Sequence, residues 1–130
     1  MQEYEEKLAW RRVKYKQRFL NAFRGIYIVF KTTKHIFIHF FATLIVFLAG
    51  LYFNLSNFEW IVIIFCIGLV FISEAFNTAI EIDIDLTSPL YHPYARDTKD
   101  VAAAAVMLSV FTAIIVGLIV FIPKVIHFVY

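Results

Sequence analysis

Glycine, proline and cysteine are all scarce in this chain of 130 residues, which has four glycines, three prolines and one cysteine. Gly25, Gly50, Gly68 and Gly117 are too far apart to form a GxGxxG or GxxxxGK[ST] phosphate cradle, which excludes P-loop enzymes and ordinary protein kinases. The lone Cys66 excludes an intrachain disulfide and any CxxC metal or redox site; inside an apolar run it reads as a packing residue. Basic residues are nearly absent from the second half, since nine of the twelve lysines and arginines precede residue 35. What abounds is apolar: 62% hydrophobic residues, 18% aromatics and a mean hydropathy of +0.76. That is too apolar for a water-soluble domain of this size, so the chain reads as a single all-α membrane domain over 1–130. The first thirty-odd residues carry too many charges for a secretory signal, so insertion is expected to use the helices themselves.

Taken in order, the chain alternates apolar runs with short polar breaks. Over 1–34, Val13, Leu20, Phe23, Tyr27 and Phe30 recur at helical spacings among Lys7, Arg11, Arg12, Lys14, Lys16, Arg18 and Arg24. This predicts an amphipathic helix lying on the membrane surface among anionic headgroups. A calmodulin-target or nucleic-acid-binding helix carries the same charges, but the adjoining spans disfavour both, and no nucleic-acid partner is expected. Membrane-crossing helices are predicted over 36–53, 58–85 and 98–122. The polar Asn54-Leu55-Ser56-Asn57 forms a turn between the first two, and Trp60 marks an interface. A loop at 86–96 with Pro89 and Pro93 precedes the third span, for which Asp97 is the expected N-cap and Pro123 the expected stop. The distribution of bases places the N-terminus in the cytoplasm and the C-terminus outside.

The informative stretch is where the second span turns acidic. Glu74, Asn77, Glu81 and Asp85 fall within roughly 80° of one another on one helical face, while Asp83 lies on the opposite face. An ionised carboxylate at membrane depth costs several kcal/mol, so this stripe demands facing cations, either metal ions or basic side chains. From Trp60 to Glu81 is ~31 Å at 1.5 Å per residue, about one hydrocarbon thickness, which sets Glu81 and Asp85 at the inner boundary and Glu74 deeper. Magnesium takes one or two carboxylates plus phosphate oxygens and water, so Glu81 is a sensible ligand, and Glu74 is placed to act as general base toward a hydroxyl. Lys99 in the first turn of the third span would oppose the helix dipole, and an anionic ligand such as phosphate would account for it. His35 and His39 have an i, i+4 metal spacing but no third ligand, and they read as interfacial histidines. From spacing alone, the stripe is equally a polar network or a proton relay within a bundle. A cation-conducting bundle leaves Lys99 without a role. The small residues Ala102 to Ala105 permit close helix approach.

Glu74-Ala75-Phe76-Asn77-Thr78-Ala79-Ile80-Glu81, then Asp85, Tyr91-His92-Pro93 and Ala95-Arg96-Asp97-Thr98-Lys99-Asp100, closely resembles the signature of the small prokaryotic membrane lipid kinases, the diacylglycerol and undecaprenol kinase family. Pro89, the Tyr91-His92-Pro93 run and the 54–56 turn look more like the undecaprenol kinase branch. The resemblance implies a homotrimer of three-span protomers with composite sites, ATP as phosphoryl donor, Mg2+, and a membrane lipid alcohol as acceptor. It further implies that Glu74 is the catalytic base and Glu81 the metal ligand. Lys14, Asn77, Glu81, Tyr91, His92, Lys99 and Asp100 would contact the nucleotide or order its site. Two positions depart from the family pattern, Thr33 where a metal-binding glutamate is usual and Leu90 where another glutamate is frequent. They motivate a second expectation, a catalytically impaired relative serving as a lipid- or nucleotide-binding scaffold.

Overall fold

The computed structural model describes residues 15–33 and 35–129, and among them every regular element is an α-helix. Two units are distinguished, residues 1–32 and 33–130. The first contributes α1, Tyr15–Thr32, which buries none of its residues. Within it, Phe19 and Phe23 meet edge to face at 5.1 Å and the Arg18 guanidinium lies 5.8 Å from the Tyr15 ring centre. Lys14 and the expected start of this helix lie outside the described residues.

The second unit is built from α2, Ile36–Tyr52, α3, Asn57–Thr87, and α4, Pro93–Val129. α3 and α4 are long and apolar enough to cross a membrane, and α2, apolar but only 17 residues long, qualifies only when counted with the helix before it, so the described residues hold two to three candidate spans. The chain is a multi-pass membrane protein. At 1.5 Å per residue α2 is ~26 Å long, α3 ~46 Å and α4 ~56 Å, so the last two outreach the hydrocarbon layer. α3 packs along α4 and also against α2. Among the described residues, the buried apolar side chains are Ile36, Leu55, Ile63, Cys66, Val70 and Ala102, a small core for so apolar a chain. Most of its apolar surface therefore faces lipid or other protein. Of the alanine patch, Ala102 is buried, one helical face with buried Ser109.

The α2–α3 turn is held by specific local chemistry. Asn54 takes a positive φ of 50°, a conformation asparagine tolerates. Ser56 and Glu59 form a reciprocal capping box: the Glu59 N–H donates to Ser56 Oγ, and Glu59 Oε2 accepts from the Ser56 N–H at 2.7 Å. Gly50 lets the helices close, because a Cβ there would stand 2.6 Å from the Trp60 ring and 3.0 Å from Leu55.

The third membrane helix differs from expectation at both ends. It begins at Pro93, not Asp97, because proline suits the first helical position, where its missing N–H would have no partner. Asp97 is therefore inside the helix, Lys99 lies beyond the first turn, and the loop shrinks to 88–92. Pro123 does not stop the helix, which runs through it to Val129. The turns beyond Pro123 are held from outside. Lys124 pairs with Glu59 at 3.0 Å, and Phe128 packs on Tyr52 and Phe53 with ring centres 5.7 and 6.2 Å apart. These contacts offset the one intrahelical hydrogen bond that proline removes.

Replacing Gly50 with valine should lower thermal stability in mild detergent by about 1–3 kcal/mol through overpacking against Trp60. Gly68→Ala, where a Cβ meets nothing within 4 Å, is the control and should leave the unfolding temperature unchanged or raised.

Candidate active site

The acidic stripe on α3 divides into a buried half and an exposed half. Glu74 is 5% exposed and Thr78, one turn on, 4%. Each is met by one polar group from before or within α2. His39 Nε2 lies 2.7 Å from Glu74 Oε1, and the Thr33 and Thr78 hydroxyls lie 2.7 Å apart. A carboxylate can only accept, so the His39 Nε2–H is the donor and the imidazole carries its proton on that nitrogen. Among the described residues, the basic side chain that meets Glu74 is thus a histidine. His39, expected to be an interfacial histidine, is instead half-buried against the acid.

His39 also lines an apolar groove of about 340 Å³ enclosed by α2, α3 and α4. Antiparallel packing sets His39, Phe71 and Val110 at the Glu74 end and Val46, Ile63 and Phe121 at the other. Thr43, also in its wall, turns its hydroxyl onto the His39 backbone carbonyl at 2.8 Å. Glu74 itself does not line the groove.

Further along α3 the stripe is open to solvent. The Asn77 amide donates to Glu81 Oε1 at 3.1 Å, while Asn77 Oδ1 is buried and accepts from nothing among the described residues. Glu81 is exposed. No group of three or more His, Cys, Asp or Glu side chains is arranged to hold a metal among the described residues. The exposed Glu81 carboxylate is a hard oxygen donor of the type magnesium takes, while the Asn77 amide turns its nitrogen toward it and keeps its oxygen buried.

A second, polar cleft of about 260 Å³ lies where α3 passes into α4, with Asp85, Tyr91, His92, Arg96 and Lys99 in its wall. Leu90 also lines it. Lys99 Nζ pairs with Asp85, which supplies a protein anion for a base expected to await a ligand. Arg96 reaches Asp100 at 3.5 Å, one helical turn on, so Asp100 bears on the cleft through Arg96. The His92 ring accepts the Tyr94 backbone N–H through Nδ1 at 3.3 Å, and Tyr91 is 77% exposed. Of the expected site residues, Tyr91, His92 and Lys99 share this cleft, Asn77 and Glu81 form a pair, and Glu74 belongs with His39. Thr33 meets Thr78 one turn before Glu81. A signal for His39 was present: it and Glu74 stand about equally far from the 54–57 turn, so an antiparallel helical hairpin brings them to one depth.

The family model for prokaryotic diacylglycerol kinase matches residues 20–121. The undecaprenol kinase of Bacillus subtilis is 39% identical over 106 residues, 82% of this chain and 86% of that protein. The diacylglycerol kinase of Synechocystis sp. is 37% identical over 100 residues, 76% of this chain, and the match spans 57% of that protein. No solved structure matches the chain.

Both partners of the Asp85–Lys99 pair are more than a third exposed, so solvent screens it and it contributes no more than about 1 kcal/mol to stability. Lys99→Ala should therefore leave the unfolding temperature nearly unchanged, and Asp85→Ala in the same background should add nothing resolvable by differential scanning fluorimetry.

Proposed function

Because the chain belongs to the prokaryotic diacylglycerol kinase family, we propose that it is an ATP-dependent lipid kinase that transfers the γ-phosphoryl group to the hydroxyl of a membrane lipid alcohol. The observation that carries this reading is a buried carboxylate, Glu74, held by an imidazole that lines an apolar groove. The acceptor is undecaprenol or diacylglycerol, and the longer match to the Bacillus relative favours undecaprenol. The apolar groove suits a hydrocarbon chain, and the polar cleft with Lys99, Arg96, Tyr91 and His92 suits a nucleotide.

In this mechanism Glu74 takes the hydroxyl proton as the acceptor oxygen forms its bond to the γ-phosphorus. The bond from that phosphorus to the bridging oxygen breaks, and ADP leaves with the electron pair. Glu81 would hold magnesium, whose charge would offset that of the phosphates, and the Asn77 amide N–H holds the Glu81 carboxylate in place. Lys99 and Arg96 orient the phosphates, and Tyr91, His92 and Asp100 order the cleft; Lys14 would add a further basic contact. The N-terminus is cytoplasmic, with α1 an amphipathic surface helix, so that the cleft meets cytoplasmic ATP. The working form is a homotrimer: three spans cannot enclose the stripe and Glu81 and Tyr91 stand open in one protomer, which calls for further copies, and the family resemblance supplies the number three.

A second reading, a non-catalytic scaffold, is favoured by one observation. Thr33 stands where the family pattern has a carboxylate, and its hydroxyl is engaged with Thr78.

Purified protein incubated with radiolabelled ATP and a panel of lipid alcohols separates the two. Label in a lipid supports the kinase and names its acceptor; no label in any lipid supports the scaffold. In the active enzyme Glu74→Gln should lower kcat by ~10²–10⁴ with the KM for ATP nearly unchanged. Thr33→Glu should lower the magnesium concentration needed for half-maximal turnover, and adding Glu81→Gln should erase that gain, both read from turnover against magnesium.

A further inference from the structure

The groove and the buried acid meet only through a histidine. His39 lines the groove, Glu74 does not, and the contact between them is a 2.7 Å hydrogen bond from Nε2 to Oε1. Apart from His39 the groove wall carries no titratable side chain except the thiol of Cys66, and no charged one. The remaining stripe acids, Glu81 and Asp85, lie two and three turns further along α3 and are exposed. Among the described residues, His39 is therefore the group that holds Glu74. Glutamate has three rotatable side-chain bonds, and a general base works only within about 2.6–3.2 Å of the proton it removes.

Resting on the lipid-kinase reading above, we infer that His39 is a positioning residue of the phosphoryl transfer. It fixes Glu74 Oε1, which leaves Oε2 as the oxygen free to take the proton of the acceptor hydroxyl. The donated Nε2 proton stays on His39 throughout. The hydroxyl proton passes to Glu74 Oε2 as the oxygen–phosphorus bond forms, so the imidazole is neither acid nor base in the step. The residue also lines the groove, so the ring that holds the acid stands beside the apolar space that would take the lipid chain. The backbone carbonyl of His39 is tied to the Thr43 hydroxyl, which leaves the ring as the polar face the groove offers at this end.

The test uses the full-length protein in mixed micelles with the acceptor identified by the lipid panel. His39→Ala removes the donor, and misplacement of a base by an ångström or so costs roughly 10²-fold in rate. His39→Gln returns an amide N–H near the position of Nε2 but offers no site to take up a proton. The expected result is a kcat about 10²-fold lower for His39→Ala, within about 10-fold of the parent for His39→Gln, and the same KM for ATP in both. In the Glu74→Gln background His39→Ala should cost little more, because His39 acts through Glu74. A glutamine variant as slow as the alanine variant would overturn the inference by making the imidazole a proton carrier. So would an alanine variant as fast as the parent, or a full multiplicative loss in the double variant. If His39→Ala does not fold by circular dichroism, His39→Gln and His39→Gln/Glu74→Gln decide the same question. A parent that labels no lipid brings down the kinase reading and this inference together, whereas an active parent with an indifferent His39 brings down the inference alone.

Discussion

A carboxylate taken out of water must find a hydrogen-bond donor, and at Glu74 the fold supplies one. Burial to 5% exposure raises the stakes of the His39 contact, because a polar group left unpaired in so apolar a setting costs more than the bond is worth in water. The constraint reaches outward. His39 can meet Glu74 only if α2 and α3 form a close antiparallel hairpin in the right register. That register depends in turn on the positive φ at Asn54, the Ser56–Glu59 capping box and the space left by Gly50 for Trp60. The turn some 25 Å away along α3 thus determines which side chain faces the acid.

Packing in the rest of the unit is organised for a solvent other than water. So few apolar side chains are buried that the hydrophobic effect between helices is a minor source of cohesion. The polar ties mark instead the places where the helices are held to one another. His39 on Glu74 and Thr33 on Thr78 join α2 and its approach to α3, while Asp85–Lys99 and Glu59–Lys124 join α3 to α4 near its two ends. Small buried residues, Ala102 and Ser109, let α4 lie close between those ends.

Much of this was legible from residue types alone. Periodicity and run length located the helices of the second unit, and the sudden acids in an apolar run marked the stretch where Glu74 is buried against His39. Less legible was anything set by a partner element. Lys99 calls for an anionic ligand only if its helix starts at Thr98, and the helix starts five residues earlier; Pro93 reads as a loop residue until it is seen in the first turn. Pro123 reads as a stop because the forces that carry the helix past it, Lys124 on Glu59 and Phe128 on Tyr52 and Phe53, come from residues distant in sequence. His39 lacked a third ligand and so seemed unremarkable, although its depth matched that of Glu74. Pair relations across a hairpin are set by register, which a scan of one helix at a time does not consult.

The unbroken length of α3 has a consequence for reactants that do not share a solvent. In the lipid-kinase reading proposed above, a lipid alcohol stays in hydrocarbon and a nucleotide in water, and one uninterrupted helix carries both Glu74, on the side of the first, and Asp85, on the side of the second. Eleven residues of α-helix separate the two by ~16 Å of rise. The distance across the phase boundary is therefore written in backbone hydrogen bonds, as a graduation on a rigid rod. Tilting the helix carries both marks together, and only a change in residue count between them alters their spacing and relative rotation.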